Sequence, residues 1–270
     1  MDSAPSIDRY ESKGVTLLAD AERPYGVTLA FTERTGGVSR APYASLNIGD
    51  ACGDDQGAVA ENRLRALDAI GARGCADRLV NPHQVHGDTV VTVREGTGGE
   101  LAAVRREARE GADAVVCLTE DVPVLLCYAD CVPVIVVAPG GFAVVHSGWR
   151  GTDARIAAKA TRLLLAETGA AASQARAYIG PHIGTADYEV SIELARHFAE
   201  RFGPACISGP DHLDLEFCVR AALAEAGVGE DQVASCAGST ASSTDRFYSF
   251  RAEGMCGRHG ALAFRPSGAV

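Results

Sequence analysis

Ala114-Val115-Val116-Cys117-Leu118, Val122-Pro123-Val124-Leu125-Leu126-Cys127-Tyr128, Val132-Pro133-Val134-Ile135-Val136-Val137-Ala138 and Phe142-Ala143-Val144-Val145-His146 are four apolar runs parted by short turn-rich segments. Runs this apolar, short and rich in β-branched residues predict strands buried on both faces. Their separations are mostly too short for crossover helices, which predicts antiparallel neighbours. Outward from this centre, residues 27–31 and 89–93 read as further strands. Val59, Leu64, Leu67 and Ile70 have helical spacing within 56–70. Thr152 to Thr168 reads as a helix, with Thr152 as its cap and Gly169 as its stop. A strand over Ala177–Ile179, helices over Ser191–Phe202 and Leu213–Ala226, and strands over Gln232–Ser235, Phe247–Arg251 and Ala261–Phe264 complete the map. Strands gathered in the centre and helices elsewhere predict an α+β fold. No linker interrupts residues 1–270, so one domain is expected.

The chain has 270 residues, 47% hydrophobic, with 25 Lys and Arg against 35 Asp and Glu. No cationic run offers the clustered charge that nucleic-acid backbones demand. A small anionic substrate remains compatible, since one or two pocket arginines can hold it. No apolar stretch reaches membrane-spanning length. The charged segment 1–20 has no signal-peptide centre, so a cytoplasmic location is expected. The nine cysteines are odd in number and dispersed. Cys117 and Cys127 lie inside apolar runs as small hydrophobes, so reduced thiols are expected rather than a disulfide framework. The sequence sets no oligomeric state, and a monomer is compatible with it.

Chemistry concentrates at two strand ends. Cys131 follows Asp130, a carboxylate that breaks the apolar pattern and needs a partner if buried. His146 precedes Ser147-Gly148-Trp149-Arg150-Gly151, where small residues permit close approach to a ligand. A third donor is available in His83-Gln84-Val85-His86-Gly87. One Cys and two His can hold zinc and leave its fourth position open, as catalytic sites require. In an extended segment His83 and His86 face opposite sides, so only one can join, and the spacing does not choose. The same residues suit a metal-free cysteine hydrolase, with Cys131 as nucleophile and His146 as base. Trp149 is either core or a platform for a flat ring. Arg40, Arg63, Arg150 and Arg251 are candidate anion holders, Arg150 foremost because it follows His146 by four residues. Cys256-Gly257-Arg258-His259 has ligand-like spacing without evident partners. The turn-rich loop around Thr35–Asn47 is long enough to suggest function.

Together, several segments resemble the laccase-domain, or YfiH-like, family, also described as purine nucleoside phosphorylases and labelled polyphenol oxidases. They are His83-Gln84-Val85-His86-Gly87-Asp88-Thr89-Val90, Ala129-Asp130-Cys131-Val132-Pro133 and His146-Ser147-Gly148-Trp149-Arg150-Gly151. Gly36–Ser39, Ser45–Gly49, Glu61-Asn62-Arg63, Ile179–Gly184 with Tyr188-Glu189-Val190, and Phe247–Arg251 extend the likeness across residues 27–264. The resemblance implies a single α+β domain with mixed β-sheets layered between helices, α/β/β/α. It implies zinc held by His86, Cys131 and His146, which selects His86 over His83. It further implies phosphorolysis of adenosine, inosine, guanosine or methylthioadenosine with inorganic phosphate, and hydrolytic deamination of adenosine. Asp130 is expected to orient a ligand or relay a proton. Ser39, Asn47, Arg63, Arg150 and Arg251 are expected to bind substrate. The alternative is a copper-dependent polyphenol oxidase. A multicopper centre needs a histidine-rich cluster, however, and this chain has seven histidines and no His-x-His pair. Copper at the zinc site would then be adventitious. Two departures, Ser239-Thr240-Ala241-Ser242 for Cys-Thr-x-Cys and Ala252 for a second Arg, bear on substrate preference.

Overall fold

Strands β7 (Val132–Ala138) and β8 (Gly141–Ser147) are buried at every position. They earn that burial by lying in the middle of one of two facing sheets, in a computed structural model that describes residues 4–268. Their sheet has the order β12 (Val233–Ser235), β9 (Arg176–Ile179), β7, β8, β5 (Ala114–Cys117), β4 (Val90–Val93). The other is antiparallel, in the order β1 (Asp8–Ser12), β2 (Val15–Ala19), β3 (Thr28–Thr32), β13 (His259–Phe264), β6 (Val124–Tyr128).

Period-2 alternation distributes the side chains into layers. Phe142 and Val144 of β8, Ile135 and Val137 of β7, and Leu126 and Tyr128 of β6 fill the space between the sheets. The opposite residues, Val134, Val136, Ala143 and Val145, face helices α4 (Ile156–Thr168) and α6 (Leu215–Glu225). On the far side of the other sheet, Leu17, Leu125 and Leu262 pack against Ala66 and Leu67 of α1 (Gln56–Ala69). The result is the expected α/β/β/α layering, with the central strands of both sheets buried on both faces.

Several local expectations are corrected. The four central runs are not all antiparallel neighbours of one another. β5, β7 and β8 pair antiparallel, but β6 leaves for the other sheet and pairs with β13. β4 and β5 are parallel, joined by α2 (Gly98–Gly111), a helix the sequence reading missed. Its stripe Leu101, Val104 and Ala108 is narrow and flanked by charge, which hides the period. β9 and β12 are likewise parallel. Their crossover contains α5 (Ile192–Phe202), the hairpin of β10 (Ile207–Ser208) and β11 (His212–Leu213), and α6. The N-terminal hairpin β1–β2 was also missed.

The helix expected over 152–168 is two, α3 (Trp149–Asp153) and α4, broken where Arg155 turns left-handed at φ 57°. Thr152 caps neither helix; its hydroxyl bonds Ser147. Gly169 ends α4 as expected, at φ 71°. Helix α6 begins at Leu215 because the Asp214 carboxylate caps it through the Phe217 N–H. The aromatic stretch 247–251 is no strand. The Ser249 hydroxyl accepts the Ala252 N–H and the Glu253 carboxylate accepts the Ser249 N–H, which winds α7 (Phe250–Glu253) instead.

The backbone just after β9 lies tight against the other sheet at Gly180: a Cβ there would lie 2.4 Å from the ring of Phe31. Gly180→Ala is therefore expected to lower unfolding free energy by about 1–3 kcal/mol through overpacking, read as a reduced urea midpoint with an unchanged slope.

Candidate active site

The alternation of β8 that sends Phe142 and Val144 between the sheets sends His146 the same way, at the end where the core opens. Val132 pairs with Ser147, so Cys131, at the β6–β7 turn, falls beside the end of β8. The turn is closed by Asp130 at φ 88°. His86 arrives from the loop before β4, itself left-handed at φ 59°. The three donor atoms lie within 4.8 Å of one another, His86 exposed to the cavity, Cys131 half-buried and His146 buried. Between them is Gly148, whose missing side chain makes room. A Cβ there would lie 3.1 Å from both Cys131 Sγ and His86 Cδ2.

Asp113, at the entry to β5, holds this geometry. Its fully buried carboxylate meets His146 Nδ1 at 2.8 Å. It also accepts the backbone N–H groups of Val85, His86 and Gly87 at 3.2, 3.0 and 2.7 Å. Burial raises the Asp113 pKa, but these donors and the charge of His146 outweigh it and hold the group below the usual carboxylate range. With Nδ1 turned to a carboxylate, His146 presents Nε2 to Cys131 and His86. Burial would likewise raise the Cys131 thiol, yet His146 and His86 beside it bring it down to about 6. Burial disfavours charge on His146, while Cys131 and Asp113 push it up to about 9. The cluster thus favours thiolate, the form that binds metal. Softness, mutual distance and space all suit a His, His, Cys metal site.

The trio opens into a cavity of about 560 Å³ also lined by Arg150, Arg251 and Arg258. None of these arginines has a carboxylate ion-pair partner among the described residues. Each guanidinium instead stacks on an aromatic ring: Arg150 on Trp149 at 4.3 Å, Arg251 on Tyr188 at 5.2 Å, Arg258 on Phe250 at 5.9 Å. A chain of net charge −10 therefore keeps a locally cationic pocket.

Other candidates are placed differently. Arg150 and Arg251 line the cavity, whereas Ser39, Asn47, Arg63 and Arg40 do not. Ser39 and Asn47 are buried and share the Asp54 carboxylate. Asn47 Oδ1 accepts the Gly49 and Arg258 N–H groups. Arg63 donates to the Ile48 carbonyl and pairs with Asp50 at 3.2 Å. Asp130 makes no hydrogen bond to the trio; its carboxylate accepts Thr240 Oγ1 and the Arg251 N–H, both at 2.7 Å. His83 and His86 both reach the cavity, contrary to the extended-chain expectation, because the chain bends at His86, but only His86 joins the donor cluster. His259 is buried between Tyr128 and Phe247 and pushed down to about 3 by burial, so the Cys256…His259 pair gathers no metal cluster among the described residues. Sequence reasoning missed Asp113 and gave Arg258 no role. The available signal for Asp113 was a lone carboxylate entering an apolar run at Ala112-Asp113-Ala114-Val115.

Residues 28–265 match the family described as multi-copper polyphenol oxidoreductase laccase. The chain is 35% identical over 244 residues to a purine nucleoside phosphorylase of Corynebacterium glutamicum, covering 89% of this chain and 95% of that one. It is 36% identical over 243 residues to a purine nucleoside phosphorylase of Deinococcus radiodurans, covering 88% of each. The crystal structure of YlmD from Geobacillus stearothermophilus matches with a TM-score of 0.84 at 30% identity, over 97% of this chain and 100% of that one. Hypothetical protein YfiH from Bacillus licheniformis gives 0.83 at 27%, over 94% and 97%. The chain belongs to this laccase-like family.

Asp113→Asn is expected to weaken the affinity of the His86, Cys131 and His146 cluster for an added divalent metal by about 10- to 100-fold, as loss of a ligand-orienting carboxylate does. Competition with a chromophoric chelator on purified protein measures it, and affinity equal to wild type would remove Asp113 from the site.

Proposed function

From that membership we propose that this protein is a zinc-dependent purine nucleoside phosphorylase that also deaminates adenosine by hydrolysis. Adenosine, inosine, guanosine and methylthioadenosine are the proposed nucleosides, with inorganic phosphate as co-substrate. The observation that carries the proposal is one cavity lined both by His86, Cys131 and His146 and by three arginines free of carboxylates. The names of the relatives support the phosphorolysis.

In this reading His86, Cys131 and His146 hold the metal, and Asp113 fixes His146. Zinc bound there supplies Lewis-acid activation of an oxygen. Arg150, Arg251 and Arg258 bind phosphate, as guanidinium groups bind its oxygens in pairs, and aim it at ribose C1′. Trp149, Tyr188 and Phe250 offer faces to the flat base. Asp130 holds the Arg251 backbone, and so acts on the anion through that arginine. In phosphorolysis a phosphate oxygen bonds C1′ while the C1′–N9 bond breaks. The nine cysteines are free thiols and no helix among the described residues is long and apolar enough to cross a membrane. Both support the cytoplasm as the proposed location.

Two other readings have a specific observation each. The family description and the His, His, Cys donor set favour a copper-dependent polyphenol oxidase. Against it, the described residues gather no second donor cluster for further copper ions. The Cys131–His146 pair favours a metal-free cysteine hydrolase. Stoichiometric zinc that blocks Cys131 alkylation separates it from the first reading, and phenol oxidation by zinc-loaded, copper-free protein would revive the oxidase.

Adenosine incubated with and without phosphate tests the proposal, free base and inosine being separated by chromatography. Adenine is expected only with phosphate, and inosine in both. Cys131→Ala is expected to lose zinc and at least about 100-fold in both conversions. Activity retained in zinc-free Cys131→Ala would sink the metal-centred reading.

A further inference from the structure

Expelling a purine from C1′ pushes an electron pair onto N9, which the ring delocalises to N7. A poor leaving group of this kind departs faster when N7 receives a proton. The residues assigned so far bind phosphate, metal or the face of the base, and none supplies that proton.

The cavity wall narrows the choice. Asp50 is neutralised by Arg63 at 3.2 Å and Arg109 at 3.1 Å, which hold it ionised. Asp130 is occupied by Thr240 and the Arg251 N–H. Cys52 donates to the Gly49 carbonyl and accepts from Asn47. Burial pushes Cys127 up to about 11 and Tyr188 to about 12. The arginines stay protonated. His83 differs from all of these. It lines the same cavity, is exposed, and its ring makes no hydrogen bond, ion pair or ring contact to any described residue. Its backbone is nevertheless fixed, because the N–H donates to the Ala108 carbonyl at 2.9 Å and the carbonyl accepts the Ala112 N–H at 3.1 Å. A fixed backbone carrying an uncommitted imidazole is the arrangement a proton-transfer group needs, and imidazole is the side chain that ordinarily exchanges its proton near neutrality.

We propose that His83 is the general acid of base release, giving its proton to purine N7 as the C1′–N9 bond breaks. The assignment rests on the phosphorylase reading above. The step balances: a phosphate oxygen bonds C1′, the C1′–N9 pair goes to the base, and the proton of His83 moves to N7. The products are neutral base and ribose 1-phosphate, and neutral His83 regains a proton from the phosphate P–OH or from water.

The test uses substrates that need no proton. 7-Methylguanosine is already cationic in its imidazole ring and leaves as a neutral base; p-nitrophenyl riboside leaves as a stable phenolate. His83→Gln and His83→Asn are assayed with phosphate against guanosine and against these two substrates, alongside bound zinc and melting temperature. Guanosine turnover is expected to fall by about 100-fold or more. Turnover of the pre-activated substrates falls far less, and zinc content and melting temperature stay at wild-type values. Equal slowing of all accepted substrates, no slowing of guanosine, or loss of zinc in both variants would overturn the role of His83 while wild-type phosphorolysis stands. A wild-type protein that releases no base from any of the substrates overturns the phosphorylase reading itself, and the assignment with it.

Discussion

The site depends on one buried carboxylate. Asp113 is removed from water, which for an unpartnered charge would be prohibitive. Four donors compensate it: the backbone amides of Val85, His86 and Gly87, and the ring of His146. Those donors come from two segments far apart in sequence, so satisfying the charge forces them together. The left-handed backbone of His86 persists because the carboxylate holds the amides on both sides of it. Strain and buried charge, each unfavourable alone, are resolved by the same hydrogen bonds. The outcome is a pair of imidazoles meeting edge to face with centroids 4.8 Å apart.

The layered fold explains why this happens where it does. The central strands of both sheets are buried on both faces, which leaves few places where polar chemistry on them can reach solvent. The end of the intersheet layer is one. There the β6–β7 turn and the end of β8 deliver Cys131 and His146 from strands whose register is fixed by core side chains. A one-residue slip of β8 would send His146 to the helical face and Val145 into the cavity. The positions of Cys131 and His146 are thus inherited from apolar packing, whereas His86 is placed by the Asp113 carboxylate.

The fold class was legible because continuous apolar runs and helical stripes are strong local signals. The pairing was not. Nothing in the run from Val122 to Tyr128 distinguishes a strand of one sheet from a strand of the other when the central strands of both are buried on both faces. The donors were legible at Cys131 and His146, where polar residues end apolar runs. Spacing left His83 and His86 open because the bend at His86 is held by Asp113, a residue 27 positions beyond His86. Arg63, Ser39 and Asn47 were singled out by motif, and motif likeness does not separate a residue that touches a ligand from one that shapes a loop.

That distinction gives the motif residues a physical task. Asn62 donates to Ser39, to the Ser45 carbonyl and to the Asn47 carbonyl, binding the long loop to α1. Asn47 in turn receives the Arg258 N–H and the Gly49 N–H on one oxygen, joining the loop to the cavity wall. Arg63 holds the Ile48 carbonyl and offsets Asp50. An unpaired Asp50 facing the cavity would oppose an anion there. The buried amides and the off-cavity arginine therefore act on the pocket at one remove, by fixing its wall and cancelling the negative charge on it. The cationic character of Arg150, Arg251 and Arg258 is preserved by residues that never reach the cavity.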